Sequence, residues 1–146
     1  MFYVLAAGLI LLADRVSKYL VMANMQDGES IPLIPPLFYL TYVRNRGAAF
    51  GLFQGRVALL SLVALACLLF VLLHWKKIQG KSAFVRWGVV ISFVGAVGNL
   101  IDRLRWGAVI DFLDIRVFVF NLADLAIVAG VALLFWEVLV NDPQTR

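Results

Sequence analysis

VALLSLVALACLLFVLLHW, residues 57–75, runs without a single charged side chain. A helix that crosses a bilayer needs about 20 predominantly apolar residues, and this stretch supplies them uninterrupted. Three more apolar runs flank it, at about residues 3–23, 84–101 and 118–140. Over the whole chain 63% of residues are hydrophobic and 15% are charged, against about 45–50% apolar and about 25% charged in a soluble domain. Mean hydropathy is +0.93. A globule of 146 residues has no interior large enough to hide that much apolar surface, so the bilayer must solvate it. The expected fold is an all-α membrane protein, a four-transmembrane-helix bundle forming a single integral membrane domain over residues 1–146.

Basic residues orient the bundle. The link HWKKIQGKSAFVR between the second and third runs holds Lys76, Lys77, Lys81 and Arg86 and no acid, which marks a cytoplasmic loop. With four spans, both termini are then cytoplasmic, and residues 24–56 and about 102–117 face outward. The first run lacks a basic leader and carries Asp14, Arg15 and Lys18, so it reads as a retained helix rather than a cleaved signal peptide. The first outer segment has a different texture. Three of the four prolines lie there, LFYLTYV is rich in aromatic and β-branched residues, and NRG is a turn signal. A small outer β-sheet is expected over about residues 30–53.

What is scarce narrows the chemistry. One cysteine, Cys67, and one histidine, His74, leave no internal disulfide, no multi-cysteine metal site and no Ser-His-Asp triad. No metal and no cofactor is expected. The net charge of +4 is spent on membrane orientation, so no nucleic-acid partner is expected.

Polar residues inside the spans need partners or a function. Asp14 and Lys18 stand at i and i+4 and share a helix face; they read mainly as a structural ion pair. Arg15 points elsewhere and is expected to snorkel. Gly88, Gly95 and Gly98 let helix three approach a neighbour closely. Asn99 and Asp102 end helix three in NLID, and Asn121 and Asp124 begin helix four in NLAD. Each pair is spaced i, i+3, so amide and carboxylate share a face. In antiparallel helices both pairs fall at one outer level. Asp111 lies between them in VIDF, followed by Asp114. Two close carboxylates in a low-dielectric site share a proton; one can then act as base on a water while the other donates to a carbonyl oxygen. Spacing does not choose which two of Asp102, Asp111, Asp114 and Asp124 form such a pair.

Five motifs, in order, carry a resemblance: DRVSK at 14–18, NRGAAF at 45–50, GNLIDR at 98–103, VIDF at 109–112 and FNLAD at 120–124. With them the chain resembles bacterial lipoprotein signal peptidase, or signal peptidase II, over nearly its whole length. The resemblance implies an intramembrane aspartic endopeptidase that removes signal peptides from diacylglyceryl-modified prolipoproteins, cutting before the lipidated cysteine. It implies Asp111 and Asp124 as the catalytic dyad, with Asn45, Gly47, Asn99, Asp102, Arg103, Asn121 and Ala123 lining the site or orienting substrate. It also implies a monomer in the bacterial cytoplasmic (inner) membrane, in contact with membrane lipids, with prolipoproteins as substrates and the active site near the outer face. Two departures stand out. Arg46 replaces a small polar residue, and the link LDIRVFV at 113–119 is shorter than in many members.

Two other classes fit a small chain with intramembrane acids. A proton-coupled membrane transporter needs a carboxylate near mid-span reachable from both sides, and only Asp14 is so placed. A non-catalytic scaffold would tolerate loss of every outer aspartate.

Overall fold

The structure is a computed structural model that describes residues 2–47 and 52–141. Residues 48–50 of the NRGAAF motif and the extreme ends of the 1–146 domain lie outside the described residues, as does residue 51 of the outer segment. Among the described residues, four helices and four strands follow one another: α1 (Phe2–Asn24), β1 (Ser30–Ile34), β2 (Phe38–Asn45), α2 (Val57–Gln79), α3 (Ala83–Trp106), β3 (Val109–Asp114), β4 (Val119–Phe120) and α4 (Leu122–Asn141). The chain is mostly helical with a small antiparallel sheet. Three helices, α2, α3 and residues 122–140 of α4, are long and apolar enough to cross a membrane. α1 matches them in length, with 23 residues, but carries Asp14, Arg15 and Lys18.

The expected small sheet is present but extends beyond the first outer segment. Its strand order is β1-β2-β3-β4, with every neighbouring pair antiparallel. It therefore recruits the VIDF segment as well as the first outer segment, and the first segment's strands end at Asn45, with residues 52–55 in turns. Helix four also starts later than residue 118. Val119 and Phe120 pair with Asp114 and Leu113 as β4, and the helix begins only where Asn121 can cap it. A short apolar run such as VFVF has no periodicity that separates strand from helix.

Alternation along β2 and β3 sorts their side chains. Tyr42, Ile110 and Phe112 bury one sheet face against Val21 and Met25 at the end of α1. Val43 is paired with Asp111, and Asn45 with Val109, so these side chains occupy the opposite face. The sheet thereby sits over one end of the bundle and aims Asp111 away from its apolar underside.

Small residues bring α3 and α4 together, as expected for Gly88, Gly95 and Gly98. A Cβ on Gly88 would sit 2.8 Å from the Gly130 carbonyl oxygen, and one on Gly95 would collide with the Ala123 carbonyl oxygen. The Ser82 hydroxyl caps α3 by accepting from Val85 N–H, and Gly107, in the left-handed region at φ 65°, ends it. That sharp stop returns the chain directly into β3.

Candidate active site

Asp111 and Asp124 come together at the sheet end of the bundle, lining one cavity of about 460 Å³. Asp111 arrives on β3 and is 2% exposed. Asp124 arrives in the first turn of α4. Asn45, Gly47, Asn99 and Arg103 line the same polar end, while Ile115, Phe118, Leu125 and Val128 extend it as an apolar trough.

Amides, not cations, hold the two carboxylates. Asn121 Nδ2 donates to Asp111 Oδ1 at 2.6 Å, and Asn45 Nδ2 donates to Asp111 Oδ2 at 2.9 Å. Asn99 Nδ2 donates to Asp124 Oδ1 at 2.7 Å. The two sides are joined because Asn121 Nδ2 also donates to Asn99 Oδ1 at 3.2 Å. NLAD closes a reciprocal cap: Asp124 N–H donates to Asn121 Oδ1 at 2.9 Å, and Asn121 N–H donates to Asp124 Oδ2 at 3.3 Å. This is the capping-box arrangement with Asn and Asp in the two roles, and it fixes the Asp124 rotamer at a positive helix end. Gly47 N–H donates to Asn45 Oδ1 at 2.9 Å, which sets the way Asn45 faces Asp111. A Cβ on Gly47 would lie 2.7 Å from Gln54 Oε1 and 2.9 Å from the Leu52 carbonyl oxygen, so a larger residue would displace this turn.

Burial pushes the Asp111 carboxyl up to about 7, and the negative charge of Asp124 adds to the rise. Hydrogen bonds from Asn45 and Asn121 and the charge of Lys18 oppose it without cancelling it. Asp111 is thus poised to carry a proton near neutral pH.

Of the two remaining candidate acids, Asp102 belongs to a different cluster. Lys18 Nζ lies 2.7 Å from Asp102 Oδ2 and 3.1 Å from Asp14 Oδ1, so the expected Asp14–Lys18 pair is present. Arg15 does not snorkel: it reaches inward, with Nη1 2.6 Å from Asp102 Oδ1 and Nη2 2.5 Å from Asp14 Oδ2. Two carboxylates this deeply buried attract both available cations. Asp14 also accepts from Ala123 N–H at 3.0 Å, satisfying an orphan donor in the first turn of α4, and Asp102 accepts from Ile110 N–H at 3.2 Å. The cluster therefore clamps α1, α3, β3 and α4 beneath the site. Lys18 also reaches the site directly, its Nζ donating to Asn99 Oδ1 at 3.1 Å. Asp114 stands apart, accepting from the Thr41 hydroxyl at 2.6 Å and Arg116 N–H at 2.6 Å.

Residues 6–140 match the family described as signal peptidase (SPase) II. The chain belongs to the signal peptidase II family. A lipoprotein signal peptidase of Pelotomaculum thermopropionicum is 46% identical over 97% of this chain and 93% of its own length. One from Clostridioides difficile is 41% identical over the full length of both. A bacterial membrane enzyme solved by the in meso method at 2.3 Å superposes with a TM-score of 0.91 at 29% identity, covering 99% of this chain and 92% of that one. A second, at 1.9 Å, gives 0.85 at 30% identity, covering 97% and 94%. A member of this family is a protease, and the chain is accordingly a bacterial membrane protein with that activity. Arg15 is the residue that sequence reading missed at its core. Its partner Asp102 is 87 positions away, and the only signal was a third charge in an otherwise apolar helix.

Proposed function

We propose that Asp111 and Asp124 are the catalytic dyad of an aspartic endopeptidase that removes signal peptides from diacylglyceryl-modified prolipoproteins, cutting before the lipidated cysteine. Family membership supports the reaction. The observation that carries the dyad is the amide-bridged pair in one cavity, where burial pushes the Asp111 carboxyl up to about 7. Protonated Asp111 donates to the scissile carbonyl oxygen. Asp124 takes a proton from the attacking water, and the tetrahedral intermediate collapses with proton return to the leaving amine. Asn45, Asn99 and Asn121 orient the carboxylates, Gly47 and Ala123 position the backbone around them, and Arg103 lines the cavity where substrate enters. Asp102, Asp14 and Lys18 act from beneath as structure. The apolar trough accepts the lipidated substrate, whose acyl chains stay in the bilayer.

The chain works as one monomeric integral unit with four spans. α1 supplies the fourth: its charges turn inward, while Val4, Leu5, Leu9, Leu12 and Val16 are exposed as a lipid-facing surface would be. The basic Lys76–Arg86 loop supports an orientation in which the opposite end, sheet and dyad together, lies at the outer face of the cytoplasmic membrane and both termini lie inside. The transporter reading finds no support in the family, and Asp14, its required carboxylate, already accepts from Lys18, Arg15 and Ala123.

Purified protein incubated with a diacylglyceryl-modified precursor should release a product beginning at the lipidated cysteine, read by mass spectrometry. The same precursor with serine at that position should remain whole. An intact lipidated precursor after prolonged incubation with folded protein would overturn the proposal.

A further inference from the structure

A second cavity, of about 750 Å³, shares no lining residue with the one that holds the dyad. Val16, Tyr19 and Met22 of α1 form one wall, Arg44 of β2 overhangs it, and Arg105 and Trp106 close it from the end of α3. Arg15 and Lys18 reach its floor, but both are matched by Asp14 and Asp102. The surplus charge is Arg44 and Arg105, since among the described residues no carboxylate lies within ion-pair distance of either guanidinium. Asp27 accepts from the Arg44 backbone N–H, at 3.3 Å, rather than from its side chain. Arg44 Nε donates to the Tyr42 hydroxyl at 2.8 Å, which orients the guanidinium and leaves its two terminal nitrogens for another acceptor. Arg105 lies over the Trp106 ring, 4.9 Å from its centroid.

The geometry points to a binding site for one anionic glycerophospholipid, its phosphate held between Arg44 and Arg105 and an acyl chain laid along Val16, Tyr19 and Met22 of α1. Arginine forks match phosphate oxygens in paired hydrogen bonds. Tryptophan and tyrosine favour the headgroup level, and Trp106, Tyr19 and the arginines lie at the end of the bundle where α1 and α3 meet the sheet. A soluble anion would use the guanidinia alone; the exposed apolar wall beside them is what selects a lipid. The inference needs only that the chain sits in a membrane, and it stands whichever residues cut the substrate.

The test is extraction of the purified chain from vesicles of mixed phosphatidylglycerol and phosphatidylcholine, with retained lipid counted by native mass spectrometry. One phosphatidylglycerol should be retained in preference to phosphatidylcholine. At about a 5-fold loss per basic residue removed near a headgroup, Arg44→Ala and Arg105→Ala should each weaken retention by about that factor. Arg44→Lys and Arg105→Lys keep the charge but lose the fork, so each should fall between wild type and the alanine variant, and Arg116→Ala, outside the groove, should change nothing. Exposed Arg105 can be removed without opening a core, so Arg105→Ala alone decides the matter if Arg44→Ala fails to fold. Equal retention of the two lipids, unchanged retention in Arg105→Ala, or equal occupancy by inorganic phosphate in detergent would each overturn the proposal.

Discussion

Two pairs of aspartates lie close together in this molecule and have opposite surroundings. Asp14 and Asp102 are met by Lys18 and Arg15, so their charge is cancelled where it is buried. Asp111 and Asp124 are met by Asn45, Asn99 and Asn121, which give hydrogen bonds but no charge. The contrast teaches how one fold assigns different work to the same side chain. A carboxylate locked to a cation is a clamp. A carboxylate held by a neutral amide keeps its geometry and leaves its proton free to move.

The largest effect separating the two pairs should be on rate. On the proposed dyad, Asp111→Asn and Asp124→Asn each remove an acid–base group, so cleavage of lipidated precursor should fall by roughly 10²–10⁴-fold or more while circular dichroism and melting stay near wild type. The clamp should behave the other way. Lys18→Met leaves buried carboxylates short of a cation, at a cost of about 3–5 kcal/mol, so the yield of folded protein should collapse. Thermal unfolding in detergent, beside the rate per folded molecule, separates the two outcomes.

Proton affinity sharpens the contrast. Burial, and after it the charge of Asp124, push the Asp111 carboxyl up to about 7 from an ordinary 3.8. Its protonated form favours the fold, so its contribution is full below about pH 4 and is lost as pH rises through 7. The pH–rate profile should share that basic limb, with activity falling above about 7 as the acid is lost. Replacing Asp124 by Asn removes the neighbouring charge and should move the Asp111 midpoint down, as followed by carboxyl carbon NMR. A smaller effect is expected at Gly47. Gly47→Ala forces a Cβ toward Gln54 and the Leu52 carbonyl, an overpacking of typically about 1–3 kcal/mol. It should shift Asn45 and lower kcat more than it raises KM.

Much of this contrast was legible in the sequence, within limits that are physical. The i, i+3 spacing of Asn121 and Asp124 announces a shared helix face, and the structure realises it as a reciprocal cap. The same spacing at Asn99 and Asp102 is less informative, because Asn99 reaches the dyad while Asp102 turns to Lys18 and Arg15. Which acids meet depends on β2–β3 register, and that is set by pairings such as Val43 with Asp111, across the whole of α2 and α3. Local pattern carries no such information. Nor could it place Arg15, whose direction is decided by the burial of two acids on different helices, or tell that 119–120 joins a sheet.

On the proposed reading, the amide-held pair, and not the clamp, carries a labile proton. Infrared difference spectroscopy across pH 5–9 tests it most directly. The account predicts one carboxylic acid band that disappears with a midpoint near 7 and is missing in Asp111→Asn. A band that titrates unchanged in Asp111→Asn, or no protonated carboxyl anywhere in that range, would contradict it.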